Sequence, residues 1–190
     1  MSSVDRGFSW EQLAQDIAHG VARFLDGRRR GRPEPHNGGP RHPIECDIIG
    51  VIGERIMSAY LGIPWHPMVA KPGLLEGDVG VHQVRSTDVP HGCLTVYEEN
   101  PDDVPYWLVT VNVRVPMASI KGWAWGHEVK QREYFRTDRE ADAFWLPQSK
   151  LHDPSTAPAI VRAPRAGVDG LPLLKDNSRR HNMTEAWILG

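Results

Sequence analysis

The segment Glu76 to Thr87, EGDVGVHQVRST, concentrates residue types that handle a phosphate and a hard cation. Asp78 precedes a glycine-containing turn. Gln83 and Arg85 follow at i and i+2, a spacing that puts both on one face of a strand. An acid, a turn, then a polar and a cationic residue inside a valine-rich strand is an odd arrangement to build for structure alone. Glu54, on a preceding helix, adds a second carboxylate. A divalent cation of the Mg²⁺ type takes oxygen ligands and is usually held by one or two carboxylates plus water and substrate. Such an ion binds a phosphate and acidifies the attacking water. Asp78 and Glu54 would supply the carboxylates. The side-chain oxygen of Gln83 and the backbone carbonyl of Val84 would complete the protein's share, and Arg85 would lie beside the water or phosphate as a fixed positive charge. The chemistry suited to this set is phosphodiester hydrolysis with Mg²⁺ or Mn²⁺.

A helix-borne Glu, then an Asp, then a polar residue, any residue and a cation on a strand resembles the PD-(D/E)XK nuclease superfamily. Gln83-Val84-Arg85 resembles its (D/E)XK half-motif, and Gly77-Asp78 stands where Pro-Asp would be. The chain is particularly similar to small nuclease-like proteins encoded by bacteriophages, in which QVRST-like and GW-like segments recur; the likeness covers roughly residues 44–152. The resemblance implies a restriction-endonuclease-like α/β fold and a metal-dependent deoxyribonuclease. Its catalytic set would be Glu54, Asp78, Gln83 and Arg85, with the metal on Glu54, Asp78, Gln83 and the Val84 carbonyl. Two departures carry chemical consequences. Glutamine at position 83 removes one negative charge from the metal site. Arginine at position 85 stays protonated at any working pH, so it can orient water or stabilise charge but cannot act as general base. A nuclease-like fold that no longer cuts, and serves as a DNA-binding or assembly module, is the alternative those two changes suit.

The elements that must position these residues are legible in the periodicity. Ser9 reads as an N-cap with Gln12 as its capping-box partner, and Phe8 can staple onto Leu13. Trp10, Leu13, Ile17, Val21 and Phe24 or Leu25 then form a stripe that predicts a helix with one buried face, fading near Gly27. A second helix is expected from about Glu45 to Leu61, closed by Gly62 with Pro64 beyond. Ile48, Ile49, Ile52, Ile56, Ala59 and Tyr60 make one apolar face of it, while Val51, Met57 and Leu61 flank Glu54 on the other. Apolar residues on both sides predict a sandwiched helix and a buried Glu54, which then needs a partner or a metal. Strand-like runs follow at Val79 to Thr87, Leu94 to Tyr97, Trp107 to Val115 and Ile120 to Trp125. Asn100 to Asp103 reads as a turn, His127 to Glu133 as a short helix, and Phe144 to Leu146 as a last strand. The order predicts an α/β domain with a mixed central sheet of four or five strands flanked by helices, preceded by an added N-terminal helix and followed by an irregular tail.

The domain reading is therefore an N-terminal helix over 1–27, a basic Pro/Gly-rich linker over 28–43, a nuclease-like core over 44–152 and an extended tail over 153–190 that could contact a protein partner. Arg28, Arg29, Arg30, Arg32 and Arg41 crowd the linker and are candidate contacts to a DNA backbone. The balance of the 190 residues, 22 Lys plus Arg against 24 Asp plus Glu, argues against a wholesale nucleic-acid coat but allows a local basic groove. No apolar run approaches the roughly 18–20 residues of a membrane span. Met1 to Trp10 lacks a secretory layout, and two cysteines suit a reducing compartment, so a cytoplasmic location is expected. His42, Cys46, His91 and Cys93 are zinc-type ligands, but no pair has CxxC spacing. Lys121, Lys130, Gln131 and Arg132 read as a charged face within reach of nucleic acid, and Trp123 and Trp125 as core. A homo-oligomer is compatible with this reading.

Overall fold

A computed structural model describes residues 3–31, 42–67, 77–137 and 142–157. These lie in the compact unit Met1–Pro158. Strand β1 (Val4–Gly7) leads into helix α1 (Trp10–Arg29), and helix α2 (Pro43–Leu61) follows. Then come β2 (Gln83–Thr87), β3 (Leu94–Val96), β4 (Pro105–Asn112), β5 (Met117–Trp125), the single turn α3 (Gly126–Val129), β6 (Phe135–Arg136) and β7 (Ala143–Leu146). The central sheet has the order β1-β5-β4-β2, with β2 parallel to β4 and the other pairs antiparallel. The fold is the expected α/β class with a mixed four-stranded sheet. Among the described residues no helix is long and apolar enough to cross a membrane. The tail beyond residue 157, with its expected partner contact, lies outside the described residues, as do Arg32 and Arg41.

Local signals set the helix ends as expected. Ser9 and Gln12 form the reciprocal capping box that starts α1, and Gly62, with φ +66°, closes α2 in the left-handed conformation. The face that α1 buries differs from its apolar stripe. Trp10, Ile17 and Leu25 are 62%, 41% and 47% exposed. The face turned to α2 carries Leu13, Asp16, Gly20 and Arg23 instead. Two constraints explain the rotation. A Cβ at Gly20 would lie 2.6 Å from the Ile48 Cα, so only glycine permits this close approach. Asp16 and Arg23 also meet Arg55 and Glu54 of α2 through paired hydrogen bonds. Charge pairing across a close contact outweighs a loose apolar stripe.

Helix α2 is sandwiched as its sequence predicts, with Ile49, Val51, Ile52, Glu54, Ile56 and Met57 buried. It lies on β2 so closely that a Cβ at Gly53 would collide with the Ser86 hydroxyl. Trp107, Val109 and Val111 of β4 and Ala118 and Ile120 of β5 complete this core. The opposite face of the sheet is covered by a second, smaller sheet of order β3-β7-β6. There Tyr106, Leu108 and Ala124 pack against Leu94, Val96, Phe144 and Leu146. Strand β4 is thus buried on both faces along nearly its whole length.

Several elements depart from the expected bounds: β2 starts at Gln83 rather than Val79, and β5 at Met117 rather than Ile120. Strand β4 stops at Asn112, short of the expected Val115, because the Asn112 side chain accepts from the N–H groups of Arg114 and Val115 at 3.0 and 3.2 Å. That local turn competes with the ladder and leaves Val113 and Val115 in the hairpin. In β5 the pairing jumps between Leu108↔Gly122 and Val109↔Ile120, a bulge centred on Gly122 at φ +145°. The bulge flips the side-chain parity, which is why Trp123 joins the same core as Ile120. The helical stretch expected over His127 to Glu133 divides into α3 and a 3-10 turn at Arg132–Tyr134.

Two measurements check this packing. By urea unfolding, Leu13→Ala should cost about 2–5 kcal/mol, whereas Ile17→Ala should stay within about 0.5 kcal/mol. Gly53→Ala should cost about 1–3 kcal/mol through overpacking against Ser86; equal losses for Leu13 and Ile17 would contradict the orientation of α1.

Candidate active site

The candidate residues gather at the outer edge of β2, which lies at one end of the central sheet. A tight turn precedes this strand. Val79 and His82 exchange backbone hydrogen bonds at 3.1 and 3.0 Å around Gly80, which holds φ +64°. The turn brings Asp78 back alongside the strand, where its Oδ2 accepts from the Val84 N–H at 2.7 Å. Within a strand the N–H and C=O of one residue point to the same side. The Val84 carbonyl therefore also faces outward, away from β4, and accepts a long contact from Arg85 Nη1 at 3.4 Å.

Side chains approach this edge from both faces. Val84 and Ser86 point toward α2 and Gly53. Gln83 and Arg85 point the other way, as their i and i+2 spacing requires. The Arg85 guanidinium sits 5.3 Å over the Tyr106 ring, donates to Asn100 Oδ1 at 3.1 Å and lies 3.6 Å from Asp78 Oδ2. Asn100 also accepts from the Tyr97 N–H, and the Lys130 ammonium binds the carbonyls of Glu98 and Asn100 and the Asp102 carboxylate. Lys130 thus secures the turn that aims Arg85, and Gln131 binds the His127 carbonyl. Both are engaged within the protein rather than presented on a free charged face.

Glu54 comes from the other side of the strand. It is buried, and Arg23 grips it with two hydrogen bonds, Nη1 to Oε1 at 2.6 Å and Nη2 to Oε2 at 2.7 Å. The Trp65 indole N–H adds a third, to Oε2 at 3.0 Å. Arg23 was not among the sequence candidates, nor were Trp65, Asn100 and Tyr106. The signal for Arg23 was a charge amid small and apolar positions of α1, which names no partner without the packing of α2. Burial works against the Arg23 charge, but the hydrogen bond and charge of Glu54, with Asp47 and Asp78 nearby, hold it yet more firmly protonated.

Asp78 shows the opposite balance. Desolvation raises its carboxyl above the usual aspartate range, and the Glu54 charge pushes the same way. The Val84 N–H, Arg85 and Arg23 lower it without cancelling the rise. Its side chain nonetheless keeps 32% exposure, so it is crowded but reachable from solvent. Burial pushes the Tyr106 phenol up to about 12, so beneath Arg85 it remains a neutral ring. Glu54 and Asp78 thus share one electrostatic neighbourhood, with Arg85 beside Asp78 and the Val84 carbonyl on the same edge. Gln83 stands on the Arg85 face, half-buried.

Among the described residues no three His, Cys, Asp or Glu side chains form a ready-made cage for a metal. A hard cation with several water and substrate ligands needs less than that. Asp78 and the Val84 carbonyl are oxygen donors on the outer edge of β2, the latter contacted by Arg85, and Glu54 is a third whose oxygens Arg23 holds. Carboxylate and carbonyl oxygens are the donor type that a hard cation such as Mg²⁺ or Mn²⁺ takes. The basic segment is partly structural. Arg28 and Arg29 end α1, where cations suit the helix dipole, and Arg30 pairs with Asp26 at 3.0 Å.

Because folding favours the protonated form of Asp78, ionising it costs stability. That cost is absent below the ordinary aspartate range and grows as pH rises toward the raised folded value. Asp78→Asn, whose amide oxygen can still accept from Val84, should therefore melt above wild type at pH 7. The gap should close as the pH is lowered toward the ordinary aspartate range. Thermal melts by circular dichroism across that range read both the sign and the closing. Neither models of protein families, nor curated proteins, nor solved structures show a match to this chain.

Proposed function

We propose that this chain is a deoxyribonuclease that hydrolyses phosphodiester bonds with Mg²⁺ or Mn²⁺ at the outer edge of β2. The observation that supports this most is the gathering of Glu54, Asp78 and Arg85, from a helix, a turn and a strand, at the outer edge of β2 beside the outward Val84 carbonyl. Asp78 and the Val84 carbonyl would hold the cation, with Glu54 joining once Arg23 releases it. The bound cation supplies an electrophile for the phosphate and a more acidic water. Arg85, held from behind by Asn100 and stacked on Tyr106, offers a preorganised positive charge to the phosphate as negative charge builds on it. It cannot accept the water's proton. Gln83 contributes a neutral oxygen from the strand and no charge.

The DNA backbone would reach the site along α1. Arg30 is seven residues beyond Arg23, two helical turns and about 10 Å along the same side of the helix. Arg28, Arg29 and Arg30 would then neutralise neighbouring phosphates, with Arg32 and Arg41 continuing the basic segment in sequence. Such contacts position the duplex and carry no sequence preference.

A second reading has its own support. The two carboxylates Glu54 and Asp78 face two guanidinium groups, Arg23 and Arg85, so the cluster balances its charge without a cation. That suits a DNA-binding or assembly module that does not cut. Incubating the protein with supercoiled and linear DNA in Mg²⁺, Mn²⁺ or EDTA separates the two. Metal-dependent nicking or shortening is expected, with Asp78→Asn and Arg85→Ala each lowering the rate by about a hundredfold or more. Folded protein that binds DNA in a steeply salt-dependent way and never cuts it would establish the module instead.

A further inference from the structure

We infer that Arg23 is the resident competitor of the divalent cation: it occupies both oxygens of Glu54, and a DNA phosphate must draw it off before Glu54 can serve a metal. The inference rests on the proposed reading of the site and goes beyond it by coupling the two ligands. Its basis is geometric. The forked guanidinium covers Oε1 and Oε2 together, and Trp65 covers Oε2 from a second direction. A cation approaching Glu54 therefore meets a positive charge already seated on it.

Arg23 is also held in a way that permits exchange. Its two strong contacts are both to Glu54, while its contact to the Pro67 carbonyl is long, at 3.5 Å. Its Nε is buried with no hydrogen-bond partner among the described residues. Two oxygens of a tetrahedral phosphate offer the guanidinium fork a two-pronged acceptor, as the two oxygens of a carboxylate do. Moving Arg23 from Glu54 to a phosphate keeps its charge paired. It also leaves Glu54 and Asp78 as adjacent carboxylates with Arg85 alone to offset them, an arrangement that attracts a divalent cation. Metal and DNA should then bind with positive coupling, and the coupling must be reciprocal.

The test is direct Mn²⁺ binding to the full chain without DNA, by calorimetry and by the electron paramagnetic resonance of unbound Mn²⁺. Wild type should bind weakly, and Arg23→Gln about tenfold or more tightly, within the usual range of such couplings. Adding Glu54→Gln to that variant should remove the gain. Since Arg23→Gln leaves a buried carboxylate without its partner, its melting temperature is measured with and without Mn²⁺, and Mn²⁺ should raise it more than it raises that of wild type. If Arg23→Gln does not fold in either condition, Arg23→Lys decides. A lysine keeps the charge but loses the fork, so tighter binding than wild type is again expected. Binding equal to or weaker than wild type in a folded Arg23 variant overturns the inference, as does a gain that survives Glu54→Gln. No Mn²⁺ binding by any variant overturns it as well. Because no cleavage is measured, these outcomes stay separate from the plasmid assay: a protein that cuts DNA but whose Arg23 variants bind Mn²⁺ no better is a nuclease without this gate.

Discussion

A carboxylate buried in the middle of a helix cannot be left alone, and much of this structure follows from how Glu54 is met. Charge removed from water must find a partner of opposite sign with good hydrogen-bond geometry. Arg23 provides both, and to reach Glu54 it fixes how α1 lies on α2. The Asp16–Arg55 pair repeats the device two turns earlier on α1, from the residue next to Glu54 on α2. Gly20 lets the backbones approach closely enough for the two pairs to close. The result turns Trp10, Ile17 and Leu25 toward solvent, a cost in exposed apolar surface that the charge pairing imposes.

The same pair joins the helical layer to the charged groups at the edge of the sheet. Gly53 seats α2 directly on β2, and Glu54, the next residue, acts by its charge on Asp78 beside that strand. From the other face, the turn at Asn100 and the Lys130 clamp set the direction of Arg85. The strand edge between them is left with an outward carbonyl and one acid, Asp78, whose ionised form is disfavoured where it stands. A group held in a protonation state that costs stability is a common mark of a functional site. Here the cost has a clear source in desolvation and a neighbouring carboxylate.

The second small sheet has a quieter role that bears on the site all the same. By burying Tyr106 and Leu108 it makes β4 a strand with no solvent face. The Tyr106 ring beneath Arg85 is therefore fixed from below, and its hydroxyl donates to the Pro101 carbonyl at 3.0 Å, in the same turn that carries Asn100. One aromatic side chain thus ties the floor of the Arg85 position to the core of the domain.

The features legible in the sequence are those whose hydrogen bonds close within a few residues. The Ser9–Gln12 box, the Gly62 stop, the turn before Gln83 and the common face of Gln83 and Arg85 are all of this kind. So is the sandwiching of α2, because apolar residues on both sides of a helix need cover wherever that cover comes from. The meeting of Glu54, Asp78 and Arg85 could be expected from their order along the chain. What tertiary structure alone decided is which groups satisfy one another across long separations. Arg23 and Glu54 are 31 residues apart, and Asp16 and Arg55 39 apart. The apolar stripe of α1 shares Leu13 with the buried face but is rotated away from the rest of it, because periodicity measures hydrophobicity and is blind to a charge on a partner helix. The end of β4 at Asn112 and the bulge at Gly122 also escaped, since each depends on competition between a local hydrogen bond or kink and a ladder formed elsewhere. Local bonding is written in local sequence; the choice among partners is made when the layers close.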